Sequence, residues 1–371
     1  MHLLSGARLT TLLRLLARHG GCSRRHVGQV ALLLATATIH APFGAIESLR
    51  VARRVREARF DPPPVLIVGH WRSGTTYLHN LMSRDPQFCF PTLGDAVRPH
   101  EFFPGVSEWL SRRLLAMSLP PVRPMDDVPL RLDLPQEDEL ALASMGAPSF
   151  FNCFYFPRHL PEIFRREVLF EGLEDPALKK WRHDLVYYLA KLSVLHSGRR
   201  LLLKNPAHSA RLTEVTALYP SMKIIHIHRD PIEVFTSMRR LFQGMWSMVA
   251  LQEYDADAID AHILSSYPLV MDRLCDGLDR LAPGTHVTVR YADLVDQPVE
   301  TLERIYQDLD LKSFAAARAG IARFADENRI SPRPAARLDP ALIQQINERW
   351  QVQIARLGYD VPRDAGGSNR A

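Results

Sequence analysis

The residues best suited to chemistry crowd into one short stretch: Arg72, Ser73, Gly74, Thr75 and Thr76, directly after the apolar run Val65-Leu-Ile-Val68 and Gly69. One guanidinium, several hydroxyls and two glycines at this spacing are the ingredients of an anion site. Four β-formers without polar alternation fit a strand covered on both faces, as in a parallel sheet, and the glycines let the turning backbone pass close to a ligand. The hydroxyl-rich stretch then opens a helix, whose unpaired N–H groups and positive dipole end would face that ligand. The spacing G-x-x-x-x-G is that of a Walker A loop, yet Thr75 stands where the Walker lysine belongs, and the cation inside the loop is Arg72. A Walker lysine reaches the β and γ phosphates of a triphosphate, whereas a cation inside the turn sits beside the first phosphate and its substituent. A short anionic donor is expected in preference to ATP. A plain glycine turn joining strand to helix is the competing reading, and the packed Arg, Ser and Thr weigh against it.

A second basic position follows in Ile224-Ile-His-Ile-His228-Arg229-Asp230-Pro231, where Arg229 ends a buried strand pattern and Asp230-Pro231 starts a helix. Open α/β sheets bind ligands at the carboxyl ends of their strands, so Arg229 falls where an anion would sit. Ser237 lies about two turns into the helix and shares a phosphate with Arg229 only if the helix runs past the ligand. Arg offers a two-pronged grip and Ser a hydroxyl. An ion pair between Arg229 and Asp230 is the plainer alternative. Lys204, one of only six lysines, ends the strand pattern Leu201–Leu203 before Asn205-Pro206 and projects toward the same edge; a solvated strand-end cation is the alternative.

The elements that must position these groups alternate. Asp61-Pro62-Pro63-Pro64 is a stiff boundary. The strand Val65–Val68 and a helix from about Thr75 follow it. Residues 85–161 read as an irregular, proline-rich insertion with short helical pieces at Ser107–Met117 and Glu137–Ser144, and insertions of this length usually carry function. Five aromatics in Phe150–Phe156 suit core packing, or the wall of an apolar acceptor pocket. Then come a helix closed by Gly198, the strand Leu201–Leu203, a helix over His208–Tyr219, the strand Lys223–His228, a helix over Pro231–Phe242, the strand His286–Tyr291 and a helix over Val299–Leu309. This alternation predicts an α/β fold, P-loop-like and doubly wound, with a mainly parallel sheet flanked by helices. A last helix begins at Asp339-Pro340. The expected organisation is a basic helical extension over 1–60, one α/β domain over 61–360 and a flexible tail over 361–371.

The net charge of +5 is unevenly spread: residues 1–60 hold ten Arg and two Glu, hence +8, which leaves −3 for the rest. Leucines among Arg8, Arg14 and Arg18 suit a basic amphipathic helix, able to lie on a membrane surface or to cap the core. The next apolar run, Val30–Ile39, is short beside the roughly 20 residues a span requires, so a transmembrane helix is not expected. A cleaved leader is disfavoured, because the run starts late and leads into a second helical pattern at Ile46, Leu49, Ala52 and Val55. Cys22, Cys89, Cys153 and Cys275 lie far apart without a C-x-x-C pair, which argues against zinc and a disulfide framework and for a reducing compartment. A cytoplasmic location, with room for peripheral membrane contact through residues 1–60, follows.

Taken together, His70-Trp-Arg-Ser-Gly-Thr-Thr76, Leu202-Leu-Lys204-Asn-Pro206, Arg229 with Ser237, and Arg290-Tyr291-Ala-Asp-Leu294 resemble the sulfotransferases that use 3′-phosphoadenosine-5′-phosphosulfate (PAPS), most closely their bacterial-type branch with an R-S-G-T-T loop. The resemblance implies that Arg72, Ser73, Gly74, Thr75 and Thr76 hold the 5′ phosphate and the sulfuryl group, and that Arg229 and Ser237 hold the 3′ phosphate. It further implies that Lys204 belongs to a K-x-P segment and that Tyr291 opens a Y-E-D-L-like segment, with Ala292 in place of the usual acid. It covers roughly Val65 to Leu309 and not Met1–Arg59. The C-terminal basic loop of the hormone-type enzymes has no recognisable counterpart.

The implied reaction moves a sulfuryl group from PAPS to a hydroxyl of a small or lipid-like acceptor, with Arg72 and Lys204 as cations, no metal and no nucleic-acid partner. Positioning and electrostatics supply most of the rate. His100 or Glu101, in Arg98-Pro-His-Glu-Phe-Phe-Pro104, is the expected general base; Glu137, Asp138 and Glu139 compete. The rivals are a P-loop kinase or NTPase, disfavoured by the missing lysine and by the lack of an acidic strand end for magnesium, and a non-catalytic nucleotide-binding protein at a membrane surface.

Overall fold

The run Val65–Val68 forms β1, buried at every position, because it lies at the middle of a five-stranded sheet. The computed structural model describes residues 2–103, 105, 109, 112, 113, 116, 117, 131–330 and 338–360. With β2 (Phe88–Cys89), β3 (Arg200–Lys204), β4 (Lys223–His228) and β5 (His286–Arg290), the strand order is β2-β3-β1-β4-β5. Every pairing is parallel, with Val65 opposite Leu202 on one side and Lys223 on the other. The doubly wound parallel sheet read from the sequence is therefore present. Alternate β1 side chains enter separate cores: Val65 and Ile67 meet Leu78, Leu81 and Ile305, while Leu66 and Val68 join the larger cluster that holds Trp71, Phe150 and Trp246. Its central place gives β1 both Lys204 and Arg229 as neighbours at its carboxyl end.

Three features depart from the sequence reading. The edge strand β2 lies inside the stretch read as irregular, and two residues are too few to show a period. The expected helix over His208–Tyr219 begins instead as a 3-10 turn, Pro206–Arg211, before regular helix over Leu212–Leu218. After helix α1 (Leu9–Arg18), the two apolar patterns at 30–39 and 46–55 form a single helix α2, Val27–Glu57, that runs through Pro42. A proline inside a helix costs about 3 kcal/mol, and inward contacts beyond it offset that cost. Lys191, on the helix Asp175–Leu195, reaches Glu47 at 2.6 Å and the Pro99 carbonyl at 2.8 Å. The stretch Arg24–Glu57 is long and apolar enough to cross a membrane by length and composition, with 22% of its most apolar window buried. Phe150, Phe151, Phe154, Tyr155 and Phe156 are core residues. The expected helix Ser107–Met117 lies mostly, and the tail 361–371 wholly, outside the described residues.

The turn after β1 admits no side chain at its two glycines. A Cβ on Gly69, at φ 149°, would stand 2.1 Å from the Ile227 carbonyl oxygen, and one on Gly74, at φ 96°, would stand 2.2 Å from Cδ2 of Tyr291. Gly74→Ala is expected to cost about 1–3 kcal/mol in urea unfolding. Adding Tyr291→Ala should restore the part due to the ring and leave the part due to the backbone. Equal stability of Gly74→Ala and wild type would contradict this packing.

Burial also sets an acid limit. The imidazoles of His70, His79, His226 and His262 lie inside the protein, and burial is the main cause that pushes His70 down to about 4 and the other three to about 3, from 6.5. The unfolded chain takes up these protons near pH 6.5, whereas the folded chain keeps the rings neutral. Their contribution to stability is thus complete above pH 6.5 and is lost as pH falls toward 4, at up to about 1.4 kcal/mol per pH unit for each ring. Urea midpoints should drop steeply between pH 7 and pH 5, less so in His262→Phe. Midpoints level across that range would mean that the rings are charged inside the fold.

Candidate active site

The loop after β1 is clamped from behind. The Gly69 N–H donates to Ser209 Oγ at 2.9 Å, and the Ser209 hydroxyl donates back to the Gly69 carbonyl at 3.1 Å. Arg72 sits at φ 72°, a left-handed conformation uncommon for a side-chain-bearing residue. Gly74 follows in the left-handed region and starts helix α3, Thr75–Met82. Having no side chain, Gly74 cannot cap the helix, so the first-turn N–H groups are left for a ligand. His70 and Trp71 face away from this opening. The His70 ring packs 4.8 Å from Tyr267 and Trp71 lies 4.1 Å from Phe150, so both serve the core behind the loop.

The two candidate anion grips meet. Arg72 Nε donates to Ser237 Oγ at 2.8 Å, across 165 residues of sequence. Ser237 lies on the helix Pro231–Val249, which Asp230 caps by accepting from the N–H groups of Ile232 and Glu233. The Arg229 guanidinium lies over the Tyr291 ring at 4.4 Å and pairs with Glu233 rather than with Asp230. That same ring covers Gly74. A chain of contacts thus runs from Arg229 through Tyr291 to the loop, and from the loop through Arg72 to Ser237.

The end of β3 carries a buried polar network. Lys204 Nζ donates to Glu137 Oε1 at 2.6 Å. Asn205 donates to Glu139 at 2.9 Å, His208 lies 2.8 Å from Asp138, and Arg211 forks onto Glu139 at 3.1 and 3.3 Å. Burial alone would raise the Asp138 carboxyl, but the imidazole of His208 and donors from His208 and Asn205 hold it below its usual value. Asp138 and Glu139 are wholly enclosed, while the Glu137 side chain keeps 16% exposure beside Lys204. Among the described residues, no three of His, Cys, Asp and Glu gather so as to hold a metal ion.

The expected bases His100 and Glu101 sit in the contact with the N-terminal helix. His100 packs against Gly44 of α2, and burial, followed by the charges of Arg8 and Lys191, pushes its ring down to about 3. Glu101 pairs with Arg98 and lies 3.0 Å from His40 of α2. Ser209 and Asn205 were not among the sequence candidates. The one available hint was their place within five residues of a strand end.

Comparison with known proteins agrees with this architecture. A profile of the sulfotransferase family matches residues 63–315. The omega-hydroxy-beta-dihydromenaquinone-9 sulfotransferase Stf3, from Mycobacterium tuberculosis and from Mycobacterium bovis, is 29% identical over 358 residues, covering 96% of this chain and 90% of that protein. Among solved structures, sulfotransferase STF9 from Mycobacterium avium superposes with a TM-score of 0.67 at 16% identity, over 96% of this chain and 97% of that one. STF1 from M. tuberculosis H37Rv gives 0.66 at 18% identity, over 92% and 90%. The likeness to Stf3 takes in most of the N-terminal helical segment, which the motif resemblance did not reach. Because the matched family stretch contains the β1 loop, Lys204, Arg229, Ser237 and Tyr291, the chain belongs to the sulfotransferase family and is a sulfuryl-transferring enzyme.

Proposed function

We propose that the chain transfers the sulfuryl group of PAPS to the hydroxyl of an apolar, lipid-like acceptor. The observation that carries the donor assignment is the meeting of two grips, Arg72 on Ser237 at 2.8 Å and Arg229 over the Tyr291 ring that covers Gly74. In this reading the α3 N-terminus, Ser73, Thr75, Thr76 and Arg72 bind the 5′-phosphosulfate. Arg229 exchanges its pairing with Glu233 for the 3′ phosphate, and Ser237 shares that end of the donor.

Transfer is in line. The acceptor oxygen bonds to sulfur as the bond from sulfur to the bridging oxygen breaks, and adenosine 3′,5′-bisphosphate leaves with the electron pair. Arg72, Lys204 and the loop N–H groups stabilise charge on the departing oxygen, a role that fixed donors fill at little reorganisation cost. The acceptor proton passes to a carboxylate, and Glu137 is the best-supported candidate. It contacts Lys204 and keeps partial exposure, while Asp138 and Glu139 are bound to His208 and Arg211, and Glu101 to Arg98. Sharing a lysine with the donor would hold the base beside the reacting oxygen. The acceptor class is supported by the name of the Stf3 relative, a sulfotransferase for a hydroxylated menaquinone.

Titration calorimetry with adenosine 3′,5′-bisphosphate tests the donor site: Arg229→Ala should weaken binding roughly 10- to 150-fold, the worth of a charge-assisted hydrogen bond, with acceptor KM little altered. Unchanged nucleotide affinity would remove Arg229 from the site. Glu137→Gln should lower kcat by about 10²–10⁴ while donor affinity holds. Glu101→Gln should lower stability and leave most of the activity. The reverse ranking of these two variants would transfer the base role to Glu101.

A further inference from the structure

Among the described residues, nothing covers the outer face of α2. Leu32, Ile39 and Leu49 are 68%, 65% and 79% exposed, and Phe43 and Ile46 are exposed beside them. At 100° per residue these side chains fall on one side of the helix, and Ala31, Ala35, Pro42 and Ala45 extend the same exposed surface. Between Val27 and Ile46 the sequence contains no Asp, Glu, Lys or Arg. Basic residues bracket this span: Arg24 and Arg25 before it, and Arg50, Arg53, Arg54, Arg56 and Arg59 after it, all exposed.

We propose that this face is a docking surface for an anionic lipid bilayer, with α2 lying in the membrane plane. Charge complementarity selects the occupant. An apolar strip about 30 Å long, taken at 1.5 Å per residue, ends in clustered arginines and contains no acid, which matches lipid tails flanked by anionic headgroups. The inward face decides between lying on the bilayer and crossing it. Glu47 is tied to the buried Lys191 at 2.6 Å, the Phe103 N–H donates to Glu47 at 3.0 Å, and His40 lies 3.0 Å from Glu101. A spanning helix would have to break these contacts and place Glu47 in hydrocarbon, whereas an in-plane helix keeps them and buries only what is already exposed. This inference stands apart from the sulfuryl-transfer reading and does not need it.

Flotation of the full chain with phosphatidylcholine vesicles, with and without phosphatidylglycerol, tests it. Binding should appear only with the anionic lipid and weaken with added salt. Ile39→Asp with Leu49→Asp should reduce binding at least tenfold, and Arg50→Ala with Arg54→Ala should weaken binding and lessen its salt dependence. Both variants should keep wild-type unfolding midpoints and wild-type affinity for adenosine 3′,5′-bisphosphate, because the changed residues are exposed and remote from the loop. Three results would each overturn the proposal: no flotation with either vesicle, flotation resistant to alkaline carbonate, which signifies a spanning helix, or a concentration-dependent dimer in sedimentation that Ile39→Asp with Leu49→Asp dissolves, which assigns the face to a second copy.

Discussion

Two close approaches to the backbone after β1 organise the rest of the molecule. The Ile227 carbonyl and the Tyr291 ring stand where side chains on Gly69 and Gly74 would have to be. The loop is therefore pressed between the end of β4 and the helix that follows β5, and Arg72 emerges toward the helix carrying Ser237. The left-handed conformation of Arg72 is a local cost of about 1–3 kcal/mol. The paired hydrogen bonds between Gly69 and Ser209, together with the packing of Trp71 on Phe150, hold it in place. In the proposed reading such strain is a means of preorganisation, because the donor would meet N–H groups and a guanidinium already in position.

Beside this loop, the end of β3 solves a different problem. Lys204, Arg211, Asp138 and Glu139 are nearly inaccessible to water, and a buried charge is expensive unless it is paired and fully hydrogen-bonded. Here each cation has its carboxylate, and Asn205 bridges the two acids. Apolar replacements of similar volume would serve stability as well or better. The network instead gives a defined direction to Lys204 and Glu137, the pair closest to the sheet edge. The second ionic cluster, Lys191 with Glu47 and Glu101 with Arg98 and His40, fastens α2 to the core. It also engages Glu101, one of the two bases expected from the sequence, with Arg98 and His40. Such sequence patterns announce titratable groups and leave their partners unknown.

Much of the fold is written locally. The unbroken apolar run of β1, the proline boundary before it and the Asp-Pro helix starts at 230 and 339 each carry their own signal, since strand burial and helix capping depend on a few neighbouring residues. The types and order of the loop residues Gly69 to Thr76 likewise read as an anion site, because glycine, hydroxyl and guanidinium chemistry belongs to the residues themselves. The edge strand Phe88–Cys89 and the continuity of α2 through Pro42 were not legible. A pairing of two residues has no periodicity, and a proline is tolerated only when distant partners such as Lys191 compensate.

Whether separate basic groups act together is a property of distance in space. Arg72 and Ser237 lie 165 residues apart and meet because β1 and β4 are adjacent strands of one parallel sheet. The pairing of β5 with β4 brings Tyr291 over Gly74 and under Arg229. Carboxylates that look alike in the chain are told apart by the fold: Asp138, Glu139 and Glu101 are enclosed, while Glu137 keeps partial exposure beside Lys204. Residue chemistry and local spacing therefore specify what kind of group the loop offers. The long-range packing of sheet and helices specified which side chains stand at that loop and which are spent in holding the protein together.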